Sequence, residues 1–330
     1  MFRRFRFDHE DICVGTVRGP VEFGDFLNEV DLKPPYIVKP NWINEELAHQ
    51  TDPVVLGWLL RYLASRGETL LVEAYSARNQ VMKLGGPEGE VKLERYRRTE
   101  AEFIRRQGLR EVLRELGITY LNIDEEVIAG RTVEAEEIRA LTERRYPPVE
   151  RMELYGCVPS ALYDLRKGTL ISFAKFKLTF SMCTKNIFGL IPDLAHPGGR
   201  GSYHGKKDKK LPRNIVDINK IYRAVFNVCG MVEGVRSLTG FINRGTHHSM
   251  FGYDYEVYRD MGLVYYGTDP LWLDAFVAYQ CGIDPRSYAT SVLPQPHLSL
   301  GYDDLKAWPE ELESCARALG NPLDTAAGLS

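Results

Sequence analysis

Short apolar runs alternate with helical apolar stripes along the first part of the chain. Residues 36–38 form an apolar run that ends at a lysine and a proline, which predicts a short strand. Residues 51–53, Thr-Asp-Pro, then supply a capping residue and a first-turn proline for a helix with one apolar face. Residues 70–72 are a second apolar run, ending at Glu73. This strand–helix–strand order predicts a right-handed parallel unit.

The next stretch, residues 77–98, is rich in glycine and charge, and we expect an exposed loop or hairpin there. Thr99 and Glu102 have the spacing of a capping box, so a helix is predicted to begin at this point and to end at Gly117. A strand and a charged helix follow. Tyr146 and the two prolines after it favour a boundary between two lobes.

The second half of the chain repeats the alternation. A strand at residues 169–173 leads into a lysine-rich motif, and a strand at 263–266 leads into a second Thr-Asp-Pro motif. A buried helix follows that motif, and a short helix at 309–319 precedes a tail of small residues.

These alternating elements predict an α/β fold with mostly parallel sheets, flanking helices and two lobes with a cleft between them. A chain of 330 residues is long enough for one large domain or two of ordinary size. The predicted units are an N-terminal α/β lobe at residues 1–146, a C-terminal α/β lobe at 147–320 and a flexible tail at 321–330.

The composition limits the classes of partner. Apolar residues make up 44% of the chain and charged residues 26%, and the formal net charge is −3. Such a balance gives no field that would hold nucleic acid or an anionic membrane surface. No apolar stretch approaches the roughly 18 residues of a membrane-spanning helix. We therefore expect neither nucleic acid nor a membrane as a partner, while tyrosines clustered late in the chain leave a homo-oligomer open.

The six cysteines are scattered singly, with no C-x-x-C pair. This spacing argues against a zinc ribbon or a ferredoxin-type cluster, so no iron–sulfur cluster is expected. No export signal is recognisable in the sequence, and the expected location is the cytoplasm, where thiols stay reduced.

Polar motifs follow the predicted strands, and ligands of parallel α/β sheets bind outside the carboxyl ends of the strands. Four motifs meet this description: Lys39 with Asn41, Glu73, Lys175 with Lys177, and Asp269. Two lysines separated by one residue on a strand point the same way, so Lys175 and Lys177 would place two ammonium groups over one cleft. The alternative is a pair of solvated lysines on an edge strand.

Two further segments carry candidate anion ligands. Lys185 and Asn186 precede an apolar segment, a position from which polar side chains often fix a carboxylate or phosphate; the alternative is a helix start with an exposed lysine. Residues 196–207 combine glycines with Arg200 and His204, and would either present cations and backbone N–H groups to an anion or form a solvated loop. A mobile lid would satisfy both alternatives.

Acids in apolar surroundings form a second set of candidates. Asp217 lies within an apolar run, so we expect it to pair with one of these lysines or to bind a ligand. Asp274, on the last core helix, has the same alternatives. His247 and His248 are adjacent and face different ways, which makes them a poor metal motif and favours a structural or surface role.

The ordered set of motifs resembles the family numbered 362 among the domains of unknown function, over about residues 36 to 285. The matching stretches are residues 38–42, 51–53, 174–177, 184–192, His204, 215–217, 231–234 and 267–275. The resemblance implies no defined activity. Many members of that family carry a ferredoxin-type iron–sulfur segment, which this sequence lacks.

The chain departs from the family pattern in its lysine motif. The family's usual Pro-Lys-x-Lys-Thr-His is changed here, because Ala174 replaces the proline and Leu178-Thr179 replaces Thr-His. Asn227 stands where the family tends to have an acid. These changes imply different chemistry or a reshaped pocket in this member.

The leading hypothesis is an enzyme that binds a small anionic metabolite, carboxylate or phosphate, and abstracts a proton as an isomerase or lyase does. Its catalytic residues would be Lys177, Lys185 and His204. Substrate would bind Lys39, Asn41, Lys175, Asn186 and Arg200. The acids that would orient these cations or hold a divalent metal ion are Glu73, Asp217, Glu233, Asp269 and Asp274. The alternatives are a redox or metal-centre accessory protein and a non-catalytic ligand-binding or interaction protein.

Overall fold

An eight-stranded mixed sheet organises the structure, which is a computed structural model. The structure describes residues 2–324 apart from residues 9, 44, 46–48, 83–89, 178–180, 197, 207–208, 241–246, 249–253 and 286–310. The strands are β1 Arg3–Phe7, β2 Glu10–Thr16, β3 Tyr36–Pro40, β4 Thr69–Glu73, β5 Thr119–Asn122, β6 Thr169–Lys175, β7 Asn227–Gly234, β8 Ser237–Gly240, β9 His247–His248, β10 Asp254–Arg259 and β11 Leu263–Gly267.

Helices connect most of these strands. They are α1 Pro20–Asn28, α2 Pro53–Ala64, α3 Ala77–Val81, α4 Lys92–Arg106, α5 Leu109–Leu116, α6 Ile123–Ile128, α7 Ala135–Glu143, α8 Ser160–Asp164, α9 Cys183–Phe188, α10 Gly201–His204, α11 Leu211–Val225, α12 Pro270–Gln280 and α13 Glu311–Arg317. A 3-10 helix spans Met152–Cys157.

The strand order in the main sheet is β1-β2-β11-β7-β6-β3-β4-β5. The strands from β7 to β5 are parallel to one another, whereas β11, β2 and β1 are each antiparallel to their neighbours. The predicted α/β fold with flanking helices is therefore confirmed, with an antiparallel side that the sequence pattern did not predict. The division into lobes at residues 146 and 147 stays a prediction, and the sheet contains strands from both sides of it.

Successive side chains on a strand point to opposite faces of the sheet, and each face packs its own helices. On one face Val38 and Leu71 pack with apolar residues of α1, α2, α4 and α5. On the other face Ile37 and Leu70 pack with α7, α8, α9 and α11. Tyr265, on the antiparallel side, packs with α12 and α13. Helices thus pack on both faces of the sheet.

Both Thr-Asp-Pro motifs begin a helix in the same way. The Asp52 carboxylate accepts a hydrogen bond from the backbone N–H of Val54 at the start of α2. The Asp269 carboxylate accepts from the backbone N–H groups of Leu271 and Trp272 at the start of α12. Each acid satisfies donors that the first helical turn leaves without a partner, so the helix starts predicted at these motifs are confirmed.

The region predicted to be a loop, residues 77–98, contains instead α3 and most of the first half of α4, with residues 83–89 outside the described ranges. The reason is a long-range ion pair: buried Arg78 donates to both carboxylate oxygens of Glu100, at 3.0 and 2.7 Å. The capping box predicted at Thr99 was also wrong, because Thr99 lies inside α4. Gly117 does end a helix, α5, with a φ of 64° that glycine readily adopts.

The helix predicted at 309–319 is α13, although residues 309 and 310 fall outside the described ranges, as do residues 325–330 of the predicted tail. Among the residues that the structure describes, no helix combines the length and the apolar character needed to span a membrane.

Candidate functional site

A cavity of about 450 Å³ lies where the carboxyl ends of β3, β4 and β6 meet. These strands are parallel, so their carboxyl ends share one edge of the sheet. The predicted site residues that line the cavity are Lys39, Asn41, Glu73, Lys175, Lys177, Lys185, Asn186, Arg200 and His204. The motifs following the parallel strands therefore converge as the sequence predicts.

Lys39, on β3, is buried and all three donors of its ammonium group have acceptors within the protein. It donates to Glu73 Oε2 at 2.9 Å, to Asn186 Oδ1 at 3.1 Å and to the Pro40 carbonyl at 2.7 Å. Burial lowers the pKa of Lys39 to about 8, while the Glu73 carboxylate acts in the opposite direction. Lys39 thus holds three segments of the cavity wall together.

Lys175, at the end of β6, forms an ion pair with Glu233 of β7 in which both side chains are buried. Lys175 Nζ lies 2.9 Å from Glu233 Oε1, and the same carboxylate accepts the backbone N–H of Asp52 at 2.8 Å. Burial raises the pKa of Glu233, and the nearby ammonium of Lys175 opposes that rise. This pair joins two strands to the start of α2.

Lys177 is half-buried, and its Nζ donates to Asn41 Oδ1 at 2.6 Å. Asn41 is itself held in place, since its backbone N–H donates to Thr51 Oγ1 at 2.7 Å. Burial lowers the pKa of Lys177 well below its ordinary range, and the neighbouring Lys185 and Lys175 lower it further. Within the described ranges, no carboxylate lies at ion-pairing distance from Lys177 Nζ.

Lys185 and Asn186 reach the cavity from α9, a short helix whose position is fixed by Asp274 of α12. The Asp274 carboxylate accepts from the backbone N–H groups of Cys183 and Thr184, at 2.8 and 3.0 Å, and from Thr184 Oγ1 at 2.7 Å. Burial raises the pKa of Asp274 to about 7. Asp274 therefore acts as a remote N-terminal cap of the helix that carries two cavity residues.

Arg200 and His204 line the far part of the cavity from α10 and the residue before it. The Arg200 guanidinium donates to the Tyr75 carbonyl, and the Arg200 backbone N–H donates to Asp193 Oδ1 at 2.8 Å. The His204 ring packs edge-on against Phe188, with 5.4 Å between ring centroids. The glycine-rich segment thus contributes residues to the cavity, whereas its role as a lid stays a prediction.

Residues 37–279 match the family model described as domain of unknown function (DUF362). That match covers well over half of the chain. The chain belongs to the DUF362 family. The resemblance inferred from the ordered motifs is thereby confirmed. Comparisons with curated proteins and with solved structures found no match.

Asp269 of this DUF362 domain does not lie at the cavity, contrary to its predicted place beside Lys39 and Glu73. It follows β11, which is antiparallel to β7, so the end of β11 lies at the opposite edge of the sheet. Its carboxylate caps α12 and pairs with the guanidinium of Arg223. The predicted position was wrong because it placed β11 among the parallel strands of the DUF362 sheet, whereas β11 runs antiparallel to β7.

Asp217 also lies away from the lysines with which it was expected to pair. It is buried in α11, where its Oδ2 accepts the backbone N–H of Glu150 at 2.8 Å. Its cationic neighbours are Arg213, with Nε 3.4 Å from Oδ1, and Lys220, with Nζ 3.8 Å from Oδ1. In the DUF362 domain Asp217 therefore contributes to the packing of α11 against the segment around residue 150.

The sequence reasoning missed several residues of the cavity. His49 lines it and is buried, and burial together with Lys177 lowers the pKa of its imidazole to about 3. Asp193 and Gln80 also line it, with Gln80 Nε2 donating to Asp193 Oδ2 at 3.2 Å. Asp193 directly follows the motif at residues 184–192 that contains Lys185, so its position in the sequence could have indicated that it lines the cavity. His49 and Gln80 lie between the motifs, and nothing in the sequence around them indicated a place in the cavity.

The predicted acids act on cations or helices in the DUF362 domain. Glu73 and Glu233 pair with lysines, and Asp274 caps α9. Over the described part of the chain, no group of three or more histidine, cysteine, aspartate and glutamate side chains is placed to hold a metal ion. The five acids are therefore spread over separate contacts: four of them pair with cations, whereas Asp274 accepts from backbone N–H groups and a hydroxyl.

Proposed function

We propose that this DUF362 domain is an enzyme that binds a small anionic metabolite, a carboxylate or a phosphate, in the cavity and abstracts a proton from it. Isomerase or lyase chemistry next to a carbonyl is the reaction class that we infer. The cavity would be the predicted cleft between the two lobes. Its lining supports this assignment, because Lys39 and Glu73 precede the boundary at residue 146 while Lys175, Lys177 and His204 follow it.

The observation that carries the proposal is the group formed by Lys175, Lys177 and Lys185. The three lysines are close enough that Lys185 and Lys175 both lower the pKa of Lys177. Lys175 pairs with the Glu233 carboxylate at 2.9 Å, whereas Lys177 Nζ donates to the neutral amide oxygen of Asn41, and that contact does not compensate the positive charge of Lys177. An anion bound there would relieve the repulsion between the ammonium groups and would gain charge-assisted hydrogen bonds.

The lowered pKa of Lys177 supports the acid–base part of the proposal. An ordinary lysine is almost fully protonated at neutral pH and accepts no proton. A lysine whose pKa is lowered has a larger neutral fraction, and its amine then acts as a general base near the pH at which the protein works. His204, which lines the same cavity, is the second candidate for moving a proton.

The size and the remaining walls of the cavity favour a metabolite. A volume of about 450 Å³ falls within the range of roughly 300–1,000 Å³ that is usual for small-molecule sites. Trp42, Met182 and Phe188 supply apolar surface beside the lysines. A ligand with one anionic end and a short carbon skeleton would match both kinds of wall.

Calorimetric titration with malonate and with inorganic phosphate tests the binding step. We expect Lys177→Ala and Lys185→Ala to weaken binding roughly 10-fold or more, since each removes a hydrogen bond to a charged group worth about 1.5–3 kcal/mol. Lys33→Ala is the matched control, because Lys33 is exposed and is not among the described residues that line the cavity. Binding of neither anion, or equal losses in all three variants, would contradict the proposal.

Proton abstraction is tested separately by proton NMR in deuterated water. The carbon-bound protons next to the carbonyl of a bound 2-oxo acid should exchange with solvent faster than in its absence, and Lys177→Ala should remove that acceleration. Anion binding without any exchange would favour the non-catalytic ligand-binding alternative over an enzyme.

A further inference from the structure

Among the described residues, four lysines line the cavity, and the partners of three of them distinguish their chemistry. Lys39 has three acceptors, one of them the Glu73 carboxylate. Lys175 is paired with the buried Glu233 carboxylate. Lys177 donates instead to a neutral amide oxygen, that of Asn41. A carboxylate partner favours the charged form of a lysine, and a neutral amide oxygen supplies no such opposite charge to Lys177.

We propose that the side-chain amine of Lys177 forms a Schiff base with the carbonyl carbon of an oxo acid bound in the cavity. The inference rests on the proposed function, because the carboxylate of the oxo acid must bind beside the lysines. It deepens that function by naming the substrate class, compounds that carry both a carbonyl and a carboxylate, and by giving Lys177 a covalent role.

The surroundings of Lys177 prepare an amine for this attack. Asn41 Oδ1, 2.6 Å from Nζ, accepts one N–H and leaves the nitrogen lone pair pointing elsewhere. Asn41 is anchored through Thr51, whose Oγ1 donates to the Phe173 carbonyl at 2.9 Å. Lys185 and Lys175 disfavour a third positive charge beside their own. A desolvated lysine next to other cations is a recognised way of activating an amine nucleophile.

The step conserves atoms and electrons. The lone pair of the neutral amine forms a bond to the carbonyl carbon, and the carbonyl π electrons move to the oxygen, which takes up a proton. That proton comes from the attacking nitrogen, which gives a neutral carbinolamine. A second proton, taken from solvent, allows the hydroxyl to leave as water when the nitrogen lone pair forms the C=N bond. No oxidant or reductant is consumed, and the product is a positively charged iminium ion linked to Lys177.

The iminium ion explains how proton abstraction would follow. Its positive charge withdraws electrons from the adjacent carbon, so the C–H bond there becomes more acidic than in the free oxo acid. Lys177 has used its lone pair at that stage, and the proton passes to a different group. His204, on the wall of the same cavity, is the residue we assign to that transfer.

Reductive trapping tests the inference on the full chain. The protein is incubated at about pH 7 with pyruvate, 2-oxoglutarate or acetoacetate together with sodium cyanoborohydride, which reduces an iminium ion to a stable secondary amine. Intact mass and peptide mapping then locate the adduct. We expect one adduct per chain with at least one of the acids, on Lys177, in the wild type and in the exposed control Lys33→Arg.

Lys177→Arg should give no adduct, because a guanidinium retains the positive charge and cannot form the imine. Its melting temperature, compared with that of the wild type, shows that the variant is folded. An adduct on Lys39, Lys175 or Lys185, or one spread equally over exposed lysines, would overturn the inference. Calorimetric binding of the oxo acids without any adduct would overturn the Schiff-base inference but not the proposed function. Absence of binding would contradict both the inference and the proposed function.

Discussion

Lys39 and Glu73 are buried charges that form an ion pair with each other. The side chain of Lys39 is 2% exposed and that of Glu73 is 1% exposed, so neither is solvated by bulk water. Burial of an ion pair gains little net stability, but removing one partner leaves an uncompensated charge in a medium of low polarity. The pair therefore matters more as a constraint on the cavity wall than as a source of stability.

Replacing Lys39 by methionine should lower the free energy of unfolding by about 3–5 kcal/mol, because the Glu73 carboxylate is left buried without its cation. The double variant Lys39→Met with Glu73→Gln should recover most of that loss. Urea denaturation followed by circular dichroism measures both changes, and Lys33→Met at the surface serves as the control. A double variant no more stable than the single one would show that the pair does not act as a unit.

The lowered pKa of Lys39 predicts how its contribution to stability changes with pH. The pKa is about 8 in the folded protein and 10.5 ordinarily, so between these values the unfolded chain binds more protons than the folded one. The free energy of unfolding then rises with pH across that window. Urea titrations from about pH 8 to pH 10 should show a smaller rise in the Lys39→Met, Glu73→Gln double variant, and an equal rise would count against the shift.

At the scale of elements, α9 shows how a short helix is held by a residue distant in sequence. A six-residue helix is unstable in isolation, so its position depends on contacts with the rest of the protein. Asp274, from the fully buried α12, supplies three hydrogen bonds to the first residues of α9. The direction in which Lys185 and Asn186 point therefore depends on an acid that does not line the cavity.

Asp274→Ala should lower the free energy of unfolding by about 2–4 kcal/mol, because two buried N–H groups and one hydroxyl lose their acceptor. It should also weaken malonate binding. Asp274→Asn retains one acceptor oxygen, so its free energy of unfolding and its malonate affinity should lie between those of the wild type and Asp274→Ala. Urea denaturation measures the first change and calorimetry the second, both at about pH 8, where most of the Asp274 carboxyl is ionised. Asp164→Ala, on the exposed side of α8, is the control. Unchanged affinity in Asp274→Ala would limit Asp274 to a purely stabilising role.

Local patterns were enough to predict most elements of the parallel side. The apolar runs and the Asp52 cap predicted β3, α2 and β4 because the determining interactions lie within a few residues of each other. Residues 77–98 could not be predicted in this way. Arg78 and Glu100 stabilise α3 and α4 by pairing across the intervening segment, and that pairing leaves no periodic signal in the sequence.

At the scale of the whole molecule, strand direction decides which motifs meet. Lys39, Glu73 and Lys175 converge because β3, β4 and β6 are parallel, and this could be predicted from the order of the motifs. The position of Asp269 could not be predicted in this way, because the direction of β11 follows from its antiparallel pairing with β2 and β7 and not from the order of the motifs. The ion pair of Asp269 with Arg223 thus lies at the opposite edge of the sheet from the cavity.

Because Asp269 and the cavity lie at opposite edges of the sheet, we expect a substitution of Asp269 to change the free energy of unfolding without changing anion binding. Asp269→Asn should lower the free energy of unfolding by about 2–3 kcal/mol, since it weakens both the cap of α12 and the pair with the largely buried Arg223. Malonate affinity should stay within about twofold of the wild-type value. Parallel urea and calorimetric titrations check this, and a loss of affinity comparable to that of Lys185→Ala would place Asp269 in the binding machinery after all.

The pairing of β2 with β11 also bears on how the protein is made. The backbone N–H of Asp11 donates to Thr268 Oγ1, a contact between residues 257 positions apart, and β2 forms its ladder with β11 in the same region. A nascent chain leaves the ribosome amino end first, so β2 emerges long before its partner strand has been synthesised. The antiparallel side of the sheet can consequently close only late in translation or after release, and until then the edge of β2 that pairs with β11 lacks its neighbouring strand.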